Sequence, residues 1–119
     1  MLTLSYSPGQ TVTLFLTTLD TNNNYYDGYY DGYSIDGYNL PVIHRIIYPN
    51  LTSDGYFPQP MLKYDTGIYY YKFILPTGAS SVGTYFVDIH YRDLYGNLNV
   101  SPYLIQVSSP FGLYSATSF

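Results

Sequence analysis

The chain has no cysteine and no glutamate. Without thiols, neither a disulfide framework nor a thiolate metal site can form. All eight acidic residues are aspartates, and only Arg45, Lys63, Lys72 and Arg92 are basic, giving a formal net charge of −4. Nucleic-acid binding needs clustered Lys and Arg against the phosphates, so no nucleic-acid partner is expected. No apolar run approaches the roughly 18 residues of a membrane-crossing helix, so no membrane role is expected. The opening MLTLSYSPGQ lacks a basic segment followed by a long apolar one. It therefore reads as no export signal, and assembly in a cytoplasm is expected if Met1 is the natural start.

What is present points one way. Glu, Lys and Ala, the residues that fill exposed helix faces, are absent or scarce, whereas Tyr, Thr, Val, Ile and Leu are abundant and Gly and Pro punctuate them. At 119 residues this is one all-β domain large enough for its own core. Strands are expected over Leu2–Tyr6, Thr11–Leu19, Val42–Tyr48, Gly67–Leu75, Gly83–Tyr91 and Val100–Val107, with a short edge strand over Met61–Tyr64. Val12, Leu14 and Leu16 alternate with threonines, and Tyr85, Val87, Ile89 and Tyr91 share a face. About seven short strands with turn signals between them suit an antiparallel two-sheet β-sandwich, with a small closed barrel as the other solution.

Short motifs add a family resemblance. Asp65-Thr66-Gly67-Ile68-Tyr69-Tyr70 resembles the Asp-x-Gly/Ala-x-Tyr segment of immunoglobulin-like (Ig-like) domains, whose Tyr makes the tyrosine corner. Tyr6-Ser7-Pro8-Gly9-Gln10-Thr11-Val12 and Gly83-Thr84-Tyr85-Phe86-Val87 resemble segments of bacterial and phage Ig-like modules. The resemblance spans residues 4–107 and leaves Tyr69 and Tyr85 as alternatives for the corner. It implies an Ig-like sandwich over 1–107, with a loop insertion at 20–39 and a tail at 108–119. The Cys pair and buried Trp of antibody domains are missing, which places the resemblance with the Cys-free Ig-like group.

The functional candidates are surface aromatics. The run YYDGYYDGYSIDGY, residues 25–38, repeats Tyr-Tyr-Asp-Gly in a loop unusually long for a compact domain. Tyr offers wide, stiff contact area with a polar tip, so Tyr25, Tyr26, Tyr29, Tyr30, Tyr33 and Tyr38 are candidate partner-binding residues. Phe111, Tyr114 and Phe119 of the tail are candidates for docking on a neighbouring subunit. Asp27, Asp31 and Asp36 are oxygen donors that Ca²⁺ would accept, but their spacing is not that of an EF-hand, and tight turns explain each Asp-Gly; no metal and no cofactor are expected. His44 and His90 are the only histidines, and no nucleophile elbow or other catalytic motif accompanies them, so no enzyme activity is expected. A surface-type composition with neither disulfides nor an export signal suits a virion protein, and together with the Ig-like resemblance it looks like a small structural protein of a tailed phage. The resemblance implies a capsid decoration or cement protein that binds the major capsid protein or another virion protein, as a homo-oligomer. The alternatives are a tail or fibre module that binds host glycans and an Ig-like repeat of a bacterial adhesin.

Overall fold

The computed structural model describes residues 2–35 and 38–108; the tail candidates Phe111, Tyr114 and Phe119 lie outside the described residues. The strands are β1 (Leu2–Tyr6), β2 (Thr11–Thr17), β3 (Ser34–Ile35), β4 (Tyr38–Asn39), β5 (Val42–Ile47), β6 (Gln59–Pro60), β7 (Leu62–Asp65), β8 (Ile68–Ile74), β9 (Gly83–Arg92) and β10 (Leu98–Val107). Seven of these have four residues or more and coincide with the segments expected from alternation. The two-residue strands β3, β4 and β6 are too short to leave a periodic signal. Among the described residues there is no α-helix.

Two main sheets result. One has the order β1-β10-β9-β5-β6, the other β2-β8-β7, and β3 pairs with β4 within the long loop. Their inner faces meet in one core. β2 supplies Val12, Leu14 and Leu16, and β8 supplies Tyr69 and Phe73. From the larger sheet come Ile43, Ile46, Tyr85, Val87, Ile89, Tyr103, Ile105 and Val107. The ladders are antiparallel with one exception: β1 runs parallel to β10, from Leu2 opposite Tyr103 to Tyr6 opposite Val107. This corrects the expectation of a wholly antiparallel sandwich. The turn after β1 carries the chain into the other sheet, so β1 pairs with the last strand instead of with β2. Gly9, at φ +80°, makes that crossing and donates its N–H to Pro76 O.

In a core without tryptophan, tyrosines supply the large buried rings, and each phenol finds a backbone oxygen. The Tyr85 hydroxyl donates to Ser81 O, four residues upstream, at 2.9 Å. The Tyr103 hydroxyl reaches across to Phe15 O. The Tyr69 hydroxyl donates into the long loop, where Asp27 Oδ1 is 3.1 Å and Gly28 O 3.2 Å away. Pairing of this kind is what lets a ring with a polar tip be buried without the cost of an unmet donor. Of the two corner candidates, Tyr85 makes a local bond and Tyr69 a long-range one.

The long loop is tied to the three-stranded sheet at its first Asp-Gly pair. Asp27 Oδ1 accepts the Gly67 N–H (2.9 Å) as well as the Tyr69 hydroxyl, and Asp27 Oδ2 accepts from Lys63 Nζ (2.9 Å). The Thr18 hydroxyl donates to Tyr26 O, while Thr18 N–H donates to Gly67 O at 2.8 Å. Gly67 sits at φ +72°, and a Cβ there would fall 2.8 Å from Tyr26 O and 2.9 Å from Thr18 O. No other residue fits. Burial alone would push the Asp27 carboxyl up, but Lys63, Gly67 N–H and the Tyr69 hydroxyl outweigh it and hold its pKa below the usual carboxylate range. A depressed carboxylate pKa contributes stability that is present above the unfolded-state value and lost as pH falls through the folded one.

Asp27→Ala is expected to lower unfolding stability by about 1–3 kcal/mol, because it strips the Gly67 N–H of its acceptor and leaves the Tyr69 hydroxyl only Gly28 O. Gly67→Ala is expected to cost about 2 kcal/mol or more from the backbone clash and the positive φ. Urea titrations check both; unchanged midpoints would show that the loop is not tied down here.

Candidate functional site

Among the described side chains, the tyrosines at 25–33 do not form one exposed patch. Tyr25 is 55% exposed, and its backbone bridges to Leu19. Tyr26 is half-buried, with its N–H and C=O both engaged by Thr18. Tyr29 exchanges backbone hydrogen bonds with Arg92, the last residue of β9. The Tyr30 ring leans on Tyr33 (centroids 5.8 Å) and His90 (6.3 Å), and Tyr33 O accepts the Leu40 N–H. Tyr38 lies in β4 opposite Ile35. The loop therefore crosses from one sheet to the other along the domain's own surface, and Tyr25 is the ring it exposes most among those described.

A broader aromatic surface lies elsewhere, on the outer face of β2-β8-β7. The register sets Phe15, Tyr70 and Leu62 side by side across the three strands. Phe15 is 51% exposed, Ile74 70% and Tyr64 72%. The Phe15 and Tyr70 rings are 6.5 Å apart. Tyr64 is the extra residue of a bulge between Lys63 and Asp65, and it projects from the edge strand. These residues were not singled out from the sequence. The signal was there: β8 carries Ile68, Tyr70 and Ile74, interrupted by Lys72, on the face opposite its core tyrosines, so both its faces are largely apolar although it belongs to a small sheet.

At one end of the sandwich, a cleft of about 180 Å³ opens between the start of the long loop and the β9–β10 turn. Tyr26, Tyr91 and Tyr95 line it together with Asp20, Asp93 and Asn99. Each wall is a turn held by an aspartate. Asp20 Oδ1 accepts the N–H groups of Asn22 and Asn24 (2.8 and 2.9 Å), and Asp93 Oδ1 those of Tyr95 and Asn97 (2.9 and 3.0 Å). Asn99 Nδ2 lies 3.4 Å from Asp93 Oδ2. Slight desolvation raises the Asp93 pKa, but the N–H groups of Asn97 and Tyr95 and the Asn99 amide outweigh it and lower it. Burial, then Tyr91, Asp93 and Asp20, pushes the Tyr26 phenol up, and burial and Asp93 push Tyr91 up. Both phenols stay protonated and able to donate at neutral pH.

His44 and His90 meet on the outer face of the larger sheet. Ile43 pairs with Ile89 and Arg45 with Asp88, so His44 is the extra residue of a bulge. It stacks on His90 with centroids 4.0 Å apart and planes within 5°. Arg45 Nε pairs with Asp88 Oδ2 at 2.7 Å beside them. Parallel stacked imidazoles direct their in-plane lone pairs side by side instead of converging on one ion, and among the described residues no cluster of three metal-ligating side chains occurs. The pair is a packing element, with both rings half-buried.

No protein-family model matches this chain, and no curated protein matches it.

Burial, then the His44 ring and Arg45, lower the His90 pKa below 6.5, against an upward pull from Asp88. A lowered histidine pKa means the folded state favours the neutral ring, so stability present above the unfolded value is lost as pH falls through it. NMR titration of the His90 ring is expected to give a midpoint below 6.5, and His90→Asn to flatten the stability loss below about pH 6.5. A midpoint above 6.5 would contradict the stacked arrangement.

Proposed function

We propose that the protein is a non-enzymatic structural component of a tailed-bacteriophage virion, an Ig-like decoration or cement protein that docks on the major capsid protein and assembles as a homo-oligomer. The observation that carries the docking role is the outer face of β2-β8-β7, where Phe15 and Tyr64 stand more than half exposed beside Tyr70 and Ile68, bordered by Thr13 and Lys72. A solvated sheet face is normally polar, and a contiguous aromatic one marks a contact surface. Large rings in such a face give contact area at low entropy cost.

The Ig-like assignment is supported by strand order. Sheets ordered β2-β8-β7 and β10-β9-β5 correspond to the B-E-D and G-F-C sheets of that architecture, and the Tyr85–Ser81 bond has the geometry of a tyrosine corner. The virion setting is supported by a Tyr-, Thr- and Asn-rich surface composition without any cysteine.

Co-sedimentation with capsids of the encoding phage that lack this protein tests the reading. Saturable binding is expected. The double variant Phe15→Thr/Tyr64→Thr, which keeps strand propensity at two exposed positions, is expected to lose about tenfold or more in affinity with little change in melting temperature. A strictly monomeric chain with no affinity for capsids would contradict it.

A further inference from the structure

The cleft at the end of the sandwich shares no residue with the aromatic sheet face, and docking through that face makes no use of it. Its make-up is specific. Tyr95 is 83% exposed at the rim and presents an open ring face, while Tyr26 and Tyr91 form half-buried walls. Among the described residues, neither the Tyr26 nor the Tyr91 hydroxyl hydrogen-bonds to protein, so both are available to a ligand. Asp20 and Asp93 each use Oδ1 to close their own turn, which fixes the carboxylate in place and leaves Oδ2 toward other partners. For Asp93 that oxygen has a long contact with Asn99, and the Asn97 side chain also meets the carboxylate.

A ligand for this cleft needs an apolar face to lie on a ring and several hydroxyls around its edge. It must also be uncharged or cationic, because two carboxylates flank the opening. A pyranose has that chemistry: its axial C–H groups make an apolar face, and its equatorial hydroxyls donate to carboxylates and accept from phenols and amides. A volume of about 180 Å³ holds one such ring. A bare cation fits less well, since calcium asks for six or more oxygens at once and each aspartate has one committed to its turn. We propose that the cleft binds a single neutral sugar residue of a glycan, stacked on Tyr95 and hydrogen-bonded through its hydroxyls to Asp20, Asp93 and the Tyr26 and Tyr91 phenols.

The sheet-face docking proposed above is a separate matter, and the experiment keeps the two apart. Saturation-transfer-difference NMR on the isolated protein with the methyl glycosides of glucose, galactose, mannose, rhamnose and N-acetylglucosamine is expected to show contact with at least one of them. For that sugar, Tyr95→Ala and Asp20→Asn are each expected to weaken binding about tenfold or more, the loss expected of a central contact. Asp20→Asn keeps an oxygen for the turn, and Tyr95 is exposed, so both variants fold. Phe15→Thr/Tyr64→Thr is expected to bind the sugar as the wild type does, and EDTA to change nothing. Absence of signal for every glycoside, full binding in Tyr95→Ala, or loss of binding in EDTA would each overturn the inference.

Discussion

The Asp27 carboxylate is the interaction on which the arrangement of this domain depends. It gathers three donors from β7, β8 and the turn between them, Lys63 Nζ, the Tyr69 hydroxyl and Gly67 N–H, and fixes the long loop against the end of the three-stranded sheet. Because Tyr69 is itself buried in the core, the tie reaches from the loop surface to the centre of the sandwich. A covalent staple is unavailable in a chain without cysteine, and a charge-assisted hydrogen-bond cluster takes that place. The next residue continues it: a Cβ on Gly28 would lie 3.0 Å from both Thr18 and Tyr91, so the loop backbone passes closely between the two sheets.

From this constraint the two surfaces follow. With residues 25–29 held down, Tyr26 is fixed as one wall of the end cleft, facing Tyr91 and the Asp93 turn. The outer face of β2-β8-β7 stays uncovered by the loop at Phe15, Tyr64 and Ile74, each more than half exposed. Both bulges contribute as well, by turning a ring outward: Tyr64 at the sheet edge and His44 against His90. The surfaces proposed for binding are thus made by strands and stapled turns, whose rings are positioned in advance of any partner.

Much of the fold was legible in the sequence because alternation is a local property. Val12, Leu14 and Leu16, or Tyr85, Val87 and Ile89, declare their strand and their inward face without knowledge of any neighbour. Sheet membership is not local, so the parallel pairing of β1 with β10 could not be read. The bulge at His44 left a trace: the inward residues Ile43 and Ile46 are three apart instead of two. The candidate site was less legible. Asp-Gly signals a turn whether or not its carboxylate is recruited elsewhere, so Asp27 and Asp31 look alike in sequence although one binds three donors and the other lies 3.9 Å from Arg92 at the surface. Nor does the sequence bring Asp20 and Tyr26 to Asp93 and Tyr95, which are some seventy residues away along the chain.

The claim that the Tyr-Tyr-Asp-Gly loop is a strap, not a free contact arm, is most directly tested by native-state hydrogen exchange. The amides of Tyr26, Tyr29 and Gly67, together with Arg92, whose N–H donates to Tyr29 O, all hydrogen-bond between this strap and the sheets. They are expected to exchange as slowly as core-strand amides such as those of Val87 and Ile105, which open only with the whole domain. Exchange of those four at the rate of an open loop, with the core strands still protected, would contradict the strap and return the run to the role of an exposed arm.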